Sequence, residues 1–467
     1  MVFSSLVFLL FFLPVSVIGY AVLPAKFKNL WLLIVSLVFY AWGEPVFVLL
    51  MLFSTFYMWG LGLLIAKFNK GGKKAAALAT LVVSIVLSLA LLGFFKYSGF
   101  IVSNINYIFG ISLAAPKVAL PIGISFYTFQ ALSYVIDVYR QNTKAQKNYI
   151  NFAMYISLFP QLIAGPIVKY TDIENQMTGR TFDFNGIFEG LKRFTAGLGK
   201  KVIFANSLGA VYNTVSATSN KGMLLAWLGA ICFTLQIYFD FSGYSDMAIG
   251  LGRMFGFEFP ENFNYPYTSK SITDFWRRWH ITLSVWFKEY VYIPLGGNRK
   301  GTKRQIFNLF LVWMLTGLWH GAAWQFVIWG LYYFVILVLE KFVFGKFLEK
   351  LPSVIRRIYA LLLIILGWVV FAADSFKTAA SFYAAMFGFC GLAGTNAAFL
   401  WLSFLPIIII AAVFSTPVPK QLGNKVLAKF SAVTREAVMG VGCLLLLFLC
   451  VVFLVGDTYN PFLYFRF

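Results

Sequence analysis

Val438-Met-Gly-Val-Gly-Cys-Leu-Leu-Leu-Leu-Phe-Leu-Cys-Val-Val-Phe-Leu-Val455 contains no charged residue and no proline, and how it is read decides the fold. Crossing a hydrocarbon core takes about 20 apolar residues at a helical rise of about 1.5 Å each. Runs of the same kind recur at Val2 to Leu23, Val46 to Ala66, Ala75 to Phe95, Met223 to Phe239 and Tyr359 to Ala373. With 60% hydrophobic and only 12% charged residues, the chain suits a bilayer and no aqueous compartment. Lipid cannot satisfy a bare backbone, so the expected fold is an all-α integral membrane protein. Shorter and re-entrant pieces included, roughly ten to twelve membrane segments are expected.

The longest hydrophilic segments, Tyr170 to Asn185 and Phe257 to Asp274, are too short for a soluble domain. One membrane domain over residues 1–467 is therefore expected. No basic residue precedes the first apolar run, which reads as a retained span and not as a cleavable leader. Lys and Arg number 38 against 17 acids, a net charge of +21. The basic residues fall in short stretches: Lys67 to Lys74, Arg140 to Lys147, Lys192 to Lys201, Lys288 to Arg304, Lys341 to Arg357 and Lys420 to Arg435. That is a positive-inside pattern with anionic membrane lipid as partner, and it argues against nucleic acid. The four cysteines lie in or beside apolar segments without CxxC spacing, so they read as small core residues.

Between Pro121 and Gly330 the apolar runs are interrupted by Pro121-Ile-Gly-Ile-Ser125, Phe159-Pro-Gln-Leu-Ile-Ala-Gly-Pro166 and Tyr238-Phe-Asp-Phe-Ser-Gly-Tyr-Ser-Asp246. Irregular backbone at membrane depth survives only where protein buries it or a cavity adjoins it. A site is expected in this section, and the chain's only two histidines, His280 and His320, lie there. On a helix spanning Phe275 to Glu289, His280 falls on one face with Trp276, Leu283 and Phe287, while Arg277, Arg278 and Lys288 lie elsewhere. This predicts an interfacial amphipathic helix with His280 turned inward. Two readings of His280 stay open, a functional group or an imidazole bonded to a nearby carbonyl.

His320 sits in Trp313-Met-Leu-Thr-Gly-Leu-Trp-His-Gly-Ala-Ala-Trp324. A helix continued through Gly321 would place Trp313, Thr316, Gly317 and Trp324 on its face, an indole-walled pocket with room beside the small residues. An imidazole near membrane depth is a functional candidate, the alternative being a tie between helices. Neutral, it could take the proton of a hydroxyl attacking a thioester. Trp319, next to it, is a supporting candidate. No HExxH or HxxxH spacing is present, so no metal is expected. Gly-x-Ser-x-Gly is also absent, which leaves a serine nucleophile unsupported. Asp240 and Asp246 are intramembrane acids that need Lys or Arg partners, and structural ion pairs are expected ahead of catalysis. Two basic clusters, Lys192 to Lys201 and Arg299 to Arg304, could instead meet the phosphates of a CoA-like donor or anionic lipid.

Asp274-Phe-Trp-Arg-Arg-Trp-His-Ile-Thr-Leu-Ser-Val-Trp-Phe-Lys-Glu-Tyr-Val-Tyr-Ile-Pro-Leu-Gly-Gly-Asn-Arg299, followed by Leu315-Thr-Gly-Leu-Trp-His-Gly-Ala-Ala-Trp324, resembles the membrane-bound O-acyltransferase (MBOAT) family. The likeness is to the branch holding the alginate O-acetyltransferase membrane subunit and its peptidoglycan and cellulose counterparts. It extends to Phe95-Lys-Tyr97, Pro121 to Gln130, Phe159 to Pro166, Gln236 to Gly252 and the aromatic C-terminus. The resemblance implies a multi-helix fold with a tunnel or funnel at the histidines. His320 would be the catalytic histidine and His280 the second.

It further implies a multi-pass protein of the bacterial cytoplasmic (inner) membrane. The activity implied is O-acetylation of a secreted or cell-wall polysaccharide, with acetyl-CoA as cytoplasmic donor and no bound cofactor. An extracytoplasmic acetyltransferase partner would complete the transfer to the glycan. Phe462-Leu-Tyr464-Phe matches a terminal pattern that makes Tyr464 an acyl-relay candidate. Ala372 stands where, by the same resemblance, relatives often carry Arg after the Phe, so no role built on that arginine carries over. The alternatives are D-alanyl transfer to teichoic acid and a membrane transporter or channel without catalysis. The run Ile293-Pro-Leu-Gly-Gly-Asn-Arg299 favours the polysaccharide branch over the first. No repeated half with matching broken spans is seen, which weakens the second.

Overall fold

The computed structural model describes residues 1–219, 221–394, 396–456 and 463, and every regular element among them is helical. By their contacts the residues form two compact units, Met1–Phe194 with Met247–Pro260, and Thr195–Asp246 with Glu261–Phe467.

The first unit contains α1 (Phe8–Val22), α2 (Lys28–Ala41), α3 (Phe47–Lys70), α4 (Lys74–Phe109), α5 (Ile124–Tyr139) and α6 (Tyr149–Ser157). Its core is aromatic: Phe3, Phe8, Phe39 and Phe159 meet with ring centroids 5.0 to 6.4 Å apart. Two of the interrupted motifs meet here. Gly123 turns the chain into α5 with φ +77°, and a Cβ on it would stand 2.8 Å from the Leu162 carbonyl oxygen. Only glycine accepts both that angle and that approach.

α7 (Phe184–Gly199) and α8 (Met223–Met254) each run from one unit into the other. The second unit adds α9 (Ile272–Trp276), α10 (Ile281–Phe287), α11 (Thr302–His320), α12 (Trp324–Lys350), α13 (Ser353–Ala372), α14 (Phe376–Met386), α15 (Ala397–Phe414) and α16 (Ala432–Gly456). Seven described helices, α3, α4, α8, α12, α13, α15 and α16, are long and apolar enough to cross a membrane, and α1 is a shorter apolar one. The ten to twelve segments expected had counted such shorter pieces. Of the seven, α8 is by far the most enclosed by protein.

The Tyr238 to Asp246 stretch, expected to be irregular, lies inside the unbroken α8. Its glycine serves packing. A Cβ on Gly243 would come within 2.8 Å of the Gly197 carbonyl oxygen and 3.2 Å of the Lys201 nitrogen. That approach brings a π-helical turn, Lys200–Ala205, against α8. Lys201 Nζ then lies 2.6 Å from Asp240 Oδ1 and Lys200 Nζ 2.5 Å from Asp246 Oδ2. The ion pairs expected for these acids are therefore present, and the second oxygen of Asp240 accepts the Leu463 N–H at 2.9 Å. Cys232 and Cys450 are buried, whereas Cys390 is exposed and is no core residue.

Gly243→Ala should lower the melting temperature of the detergent-purified protein, because the new methyl separates α8 from Lys200 and Lys201 at a cost of about 1 to 3 kcal/mol. Gly60→Ala, on a helix position with nothing near the added carbon, should leave it unchanged or slightly raised.

Candidate active site

The Trp-rich segment of the second unit forms two short helices where one amphipathic helix was expected. α9 ends at Trp276, and α10 begins only after His280, whose backbone is left-handed at φ 46°, ψ 54°. The break arises because bonds to a neighbouring strand of backbone replace helical ones: Asn264 N–H donates to the Arg278 carbonyl and Ile281 N–H to the Asn262 carbonyl. The sidedness survives. Trp276, Leu283 and Phe287 are buried, Arg277 and Lys288 exposed, and His280 is 1% exposed.

Asn262, fully buried, organises this turn. Its Oδ1 accepts from Thr282 N–H at 3.3 Å and Thr282 Oγ1 at 2.9 Å, and lies 3.1 Å from His280 Nδ1. An atom that accepts from a backbone N–H is the amide oxygen, so His280 Nδ1 must donate to it, leaving Nε2 as the acceptor nitrogen. Asn262 Nδ2 donates to Ser245 Oγ at 3.2 Å. A left-handed non-glycine residue costs about 1 to 2 kcal/mol, and these bonds hold it there. Burial pushes the His280 imidazole down to about 3, so it is neutral at physiological pH. Upstream, the Glu340 carboxylate receives Ile272 N–H at 2.7 Å, Thr273 N–H at 2.9 Å, Thr273 Oγ1 at 2.7 Å and Tyr359 Oη at 3.1 Å. It thereby fixes the start of α9. Neither Asn262 nor Glu340 stood out in the sequence, since a single amide or acid carries no spacing signal.

His320 is the last residue of α11, and the helix does not continue, because Gly321 is extended. The chain turns back at once into α12. The two helices touch through glycine: a Cβ on Gly317 would meet the Phe326 carbonyl oxygen at 2.3 Å, and one on Gly330 the Trp313 carbonyl oxygen at 2.3 Å. The bare face of Gly317, read as room for a ligand, is filled by the backbone of α12. Trp324, expected on His320's face, opens α12 and is 52% exposed. Trp313 packs on Trp276 and Tyr333, with ring centroids at 4.8 and 5.7 Å.

His320, 5% exposed, is enclosed instead by Trp319, Trp329 and Phe371, with ring centroids at 4.9, 5.0 and 5.2 Å. Trp319 also meets His280 at 5.7 Å, so both imidazoles lie against one indole. Phe241 of α8 closes the other side of His280 at 4.7 Å. Trp329 and Phe371 were missed in the sequence because they come from later turns and a separate helix. Three buried polar atoms nearby, Trp276 Nε1, Trp329 Nε1 and Tyr333 Oη, have no hydrogen-bond partner among the described residues. Such atoms mark a place where a bound polar group would be welcome. Beyond Phe371, Ala372 and Ala373 line a cavity of about 350 Å³ together with Tyr212, Asp374, Lys221 and Lys377. Asp240 and Asp246 are engaged with lysines as described, and Tyr464 lies outside the described residues.

The family model for MBOAT, the membrane-bound O-acyltransferase family, matches residues 39–383, a stretch that includes both histidines. The chain belongs to the membrane-bound O-acyltransferase family. It is a multi-pass membrane protein and an acyltransferase. It is similar to a probable alginate O-acetylase of Azotobacter vinelandii, 41% identical over the whole of both chains. A probable alginate O-acetylase of Pseudomonas aeruginosa is 46% identical over 83% of this chain and 75% of its own. A peptidoglycan O-acetyltransferase of Helicobacter pylori is 35% identical over 84% of this chain and 81% of its own.

The depressed His280 of this acyltransferase has a consequence for stability. Its folded form refuses a proton that the unfolded chain accepts near the ordinary value of about 6.5. Stability from this group is thus complete above pH 6.5 and is lost progressively as pH falls toward 3. His280→Asn tolerates the left-handed backbone and removes the titration. Thermal unfolding at pH 7.5 and 5.5 should show a larger acid-induced loss in the wild type than in His280→Asn.

Proposed function

We propose that this acyltransferase uses His320 as general base to move an acetyl group from a cytoplasmic thioester donor, acetyl-CoA, toward O-acetylation of a secreted or cell-wall polysaccharide. The observation that carries the reading is the pair of enclosed imidazoles on one indole, His280 and His320 about Trp319, within a family whose members transfer acyl groups. The Nε2 of His320 or its companion nitrogen takes the proton of an attacking hydroxyl, whose oxygen bonds to the acetyl carbon. The carbon–sulfur bond breaks, and the thiolate leaves with the proton returned from the imidazole. A positioned base of this kind is worth about 10² to 10⁴-fold.

His280, kept neutral by burial and held in one orientation by Asn262, orients the reacting groups. The orphaned indole and phenol donors of Trp276, Trp329 and Tyr333 offer hydrogen bonds to carbonyl oxygens of donor or acceptor. The cavity beyond Phe371 supplies an approach for the acceptor. In this reading the chain sits in the bacterial cytoplasmic membrane. An extracytoplasmic acetyltransferase partner takes the acetyl group onward to the glycan, and Tyr464 serves as the relay. The names of the similar proteins, alginate O-acetylase and peptidoglycan O-acetyltransferase, support a polysaccharide as the final acceptor.

Purified wild type and His320→Ala, both shown folded by their melting curves, would be reconstituted with labelled acetyl-CoA. Thioester cleavage should fall about 10² to 10⁴-fold in the variant. Undiminished cleavage would overturn the assignment, and flux of label without cleavage would point to a channel. Mild base treatment of the surface glycan from cells carrying wild type or His320→Ala should release less acetate from the variant, whereas a fall in released alanine would indicate D-alanyl transfer. Intact-protein mass spectrometry under turnover should show an acetyl adduct lost in Tyr464→Phe.

A further inference from the structure

The first unit holds a cavity of about 560 Å³ whose walls carry cations and amides and, among the described residues, no carboxylate. Lys26, Lys28 and Arg180 supply the charge, and Asn29, Asn148 and Asn151 the amides. The cradle is held from within. Arg180 Nε donates to the Tyr20 hydroxyl at 2.9 Å, Nη1 to the carbonyls of Gln176 and Met177 at 3.0 Å, and Nη2 to Asn29 Oδ1 at 2.5 Å. Asn29 Nδ2 donates in turn to Asn151 Oδ1 at 2.9 Å and to the Met177 carbonyl at 3.0 Å.

All of those acceptors are neutral, so the guanidinium is positioned without being neutralised. Lys28 Nζ stands over the rings of Tyr20 and Phe182 at 4.7 and 4.8 Å, contacts that hold an ammonium but leave its charge uncompensated. Three cationic residues line one concave space, and an anion with several acceptor oxygens is what such a space would bind.

The surface beside the cavity indicates what carries the anion. Val15, Ile18 and Val22 form one exposed face of α1, Val22 at 74%, and the exposed Phe27 follows at the cavity wall. An exposed apolar helix face that ends in cationic residues is the arrangement found where acyl chains give way to headgroups. We propose that this cavity binds a phosphate-bearing anion, the headgroup of an anionic phospholipid whose acyl chain lies along α1. A soluble phosphate offers the same chemistry without the chain. The site involves neither histidine and stands whether or not the acetyl-transfer reading holds. Its occupant pins the turn between α1 and α2 to the Arg180 loop.

Native mass spectrometry of the full chain, released from detergent, would compare added phosphatidylglycerol, phosphatidylcholine and inorganic phosphate. Phosphatidylglycerol should bind more tightly than phosphatidylcholine, and the Lys26→Gln, Lys28→Gln double variant should weaken it about tenfold or more. Lys26→Gln alone, at an exposed position, should show a smaller loss with an unchanged melting curve. Retention of inorganic phosphate that the double variant loses, without preference for the anionic lipid, would support the phosphate site and assign it to a soluble source. Equal binding of the two lipids with no phosphate retention, or full lipid preference in the double variant, would overturn the proposal.

Discussion

Lys201 and Asp240 face each other at 2.6 Å, each 3% exposed, on helices that must also satisfy every backbone group without water. Neither charge could remain alone at that depth. The pair forms because Gly243, three residues along α8 from Asp240, has no side chain to keep the Lys200–Ala205 turn away. Lys200 and Asp246 add a second link on the same interface. Through the remaining oxygen of Asp240 the interface also holds Leu463, so a residue near the C-terminus is tied to the most enclosed helix. These lysines, which could have served donor phosphates, are occupied in holding the second unit together.

The same economy shapes the histidine site. His320 is presented at the end of a helical hairpin that closes because Gly317 and Gly330 let two backbones touch. His280 is presented at a break that closes because Asn262 supplies an acceptor at the middle of the turn. In each case polar backbone is satisfied first, and the imidazole is oriented as a result. A shell of indole and phenyl rings then excludes water, which strengthens every electrostatic interaction inside. Trp319 is the common wall, in contact with both rings.

Cations enclosed by the protein are held in two ways. In the second unit, the buried Lys201 and the half-buried Lys200 are neutralised by acids of α8. In the first, Arg180 and Lys28 are restrained by neutral oxygens and aromatic faces, and their charge stays available. Both arrangements use protein groups to hold cations that lipid alone could not solvate. Only the arrangement in the first unit leaves a positive potential beside a cavity.

The sequence by itself determined the class of fold, because runs such as Val438 to Val455 have one stable state in lipid, and two histidines in motif-rich surroundings marked where a site was to be sought. It also determined that Asp240 and Asp246 needed cations. What it could not determine was which glycine serves a turn, a helix contact or a pocket, since that depends on what approaches from a distant part of the chain. Gly317 and Gly243 were resolved only by Phe326 and Gly197. Periodicity assumed that Phe275 to Glu289 and Trp313 to Trp324 each continue one helix. Tertiary bonds to Asn262 broke the first, and the return into α12 ended the second. The contacts that orient and bury His280 and enclose His320 come from Asn262, Phe241, Trp329 and Phe371, which no local pattern connects. Helix formation is local and legible, whereas the placement of rings and amides around a buried imidazole is set by packing between segments far apart in the chain.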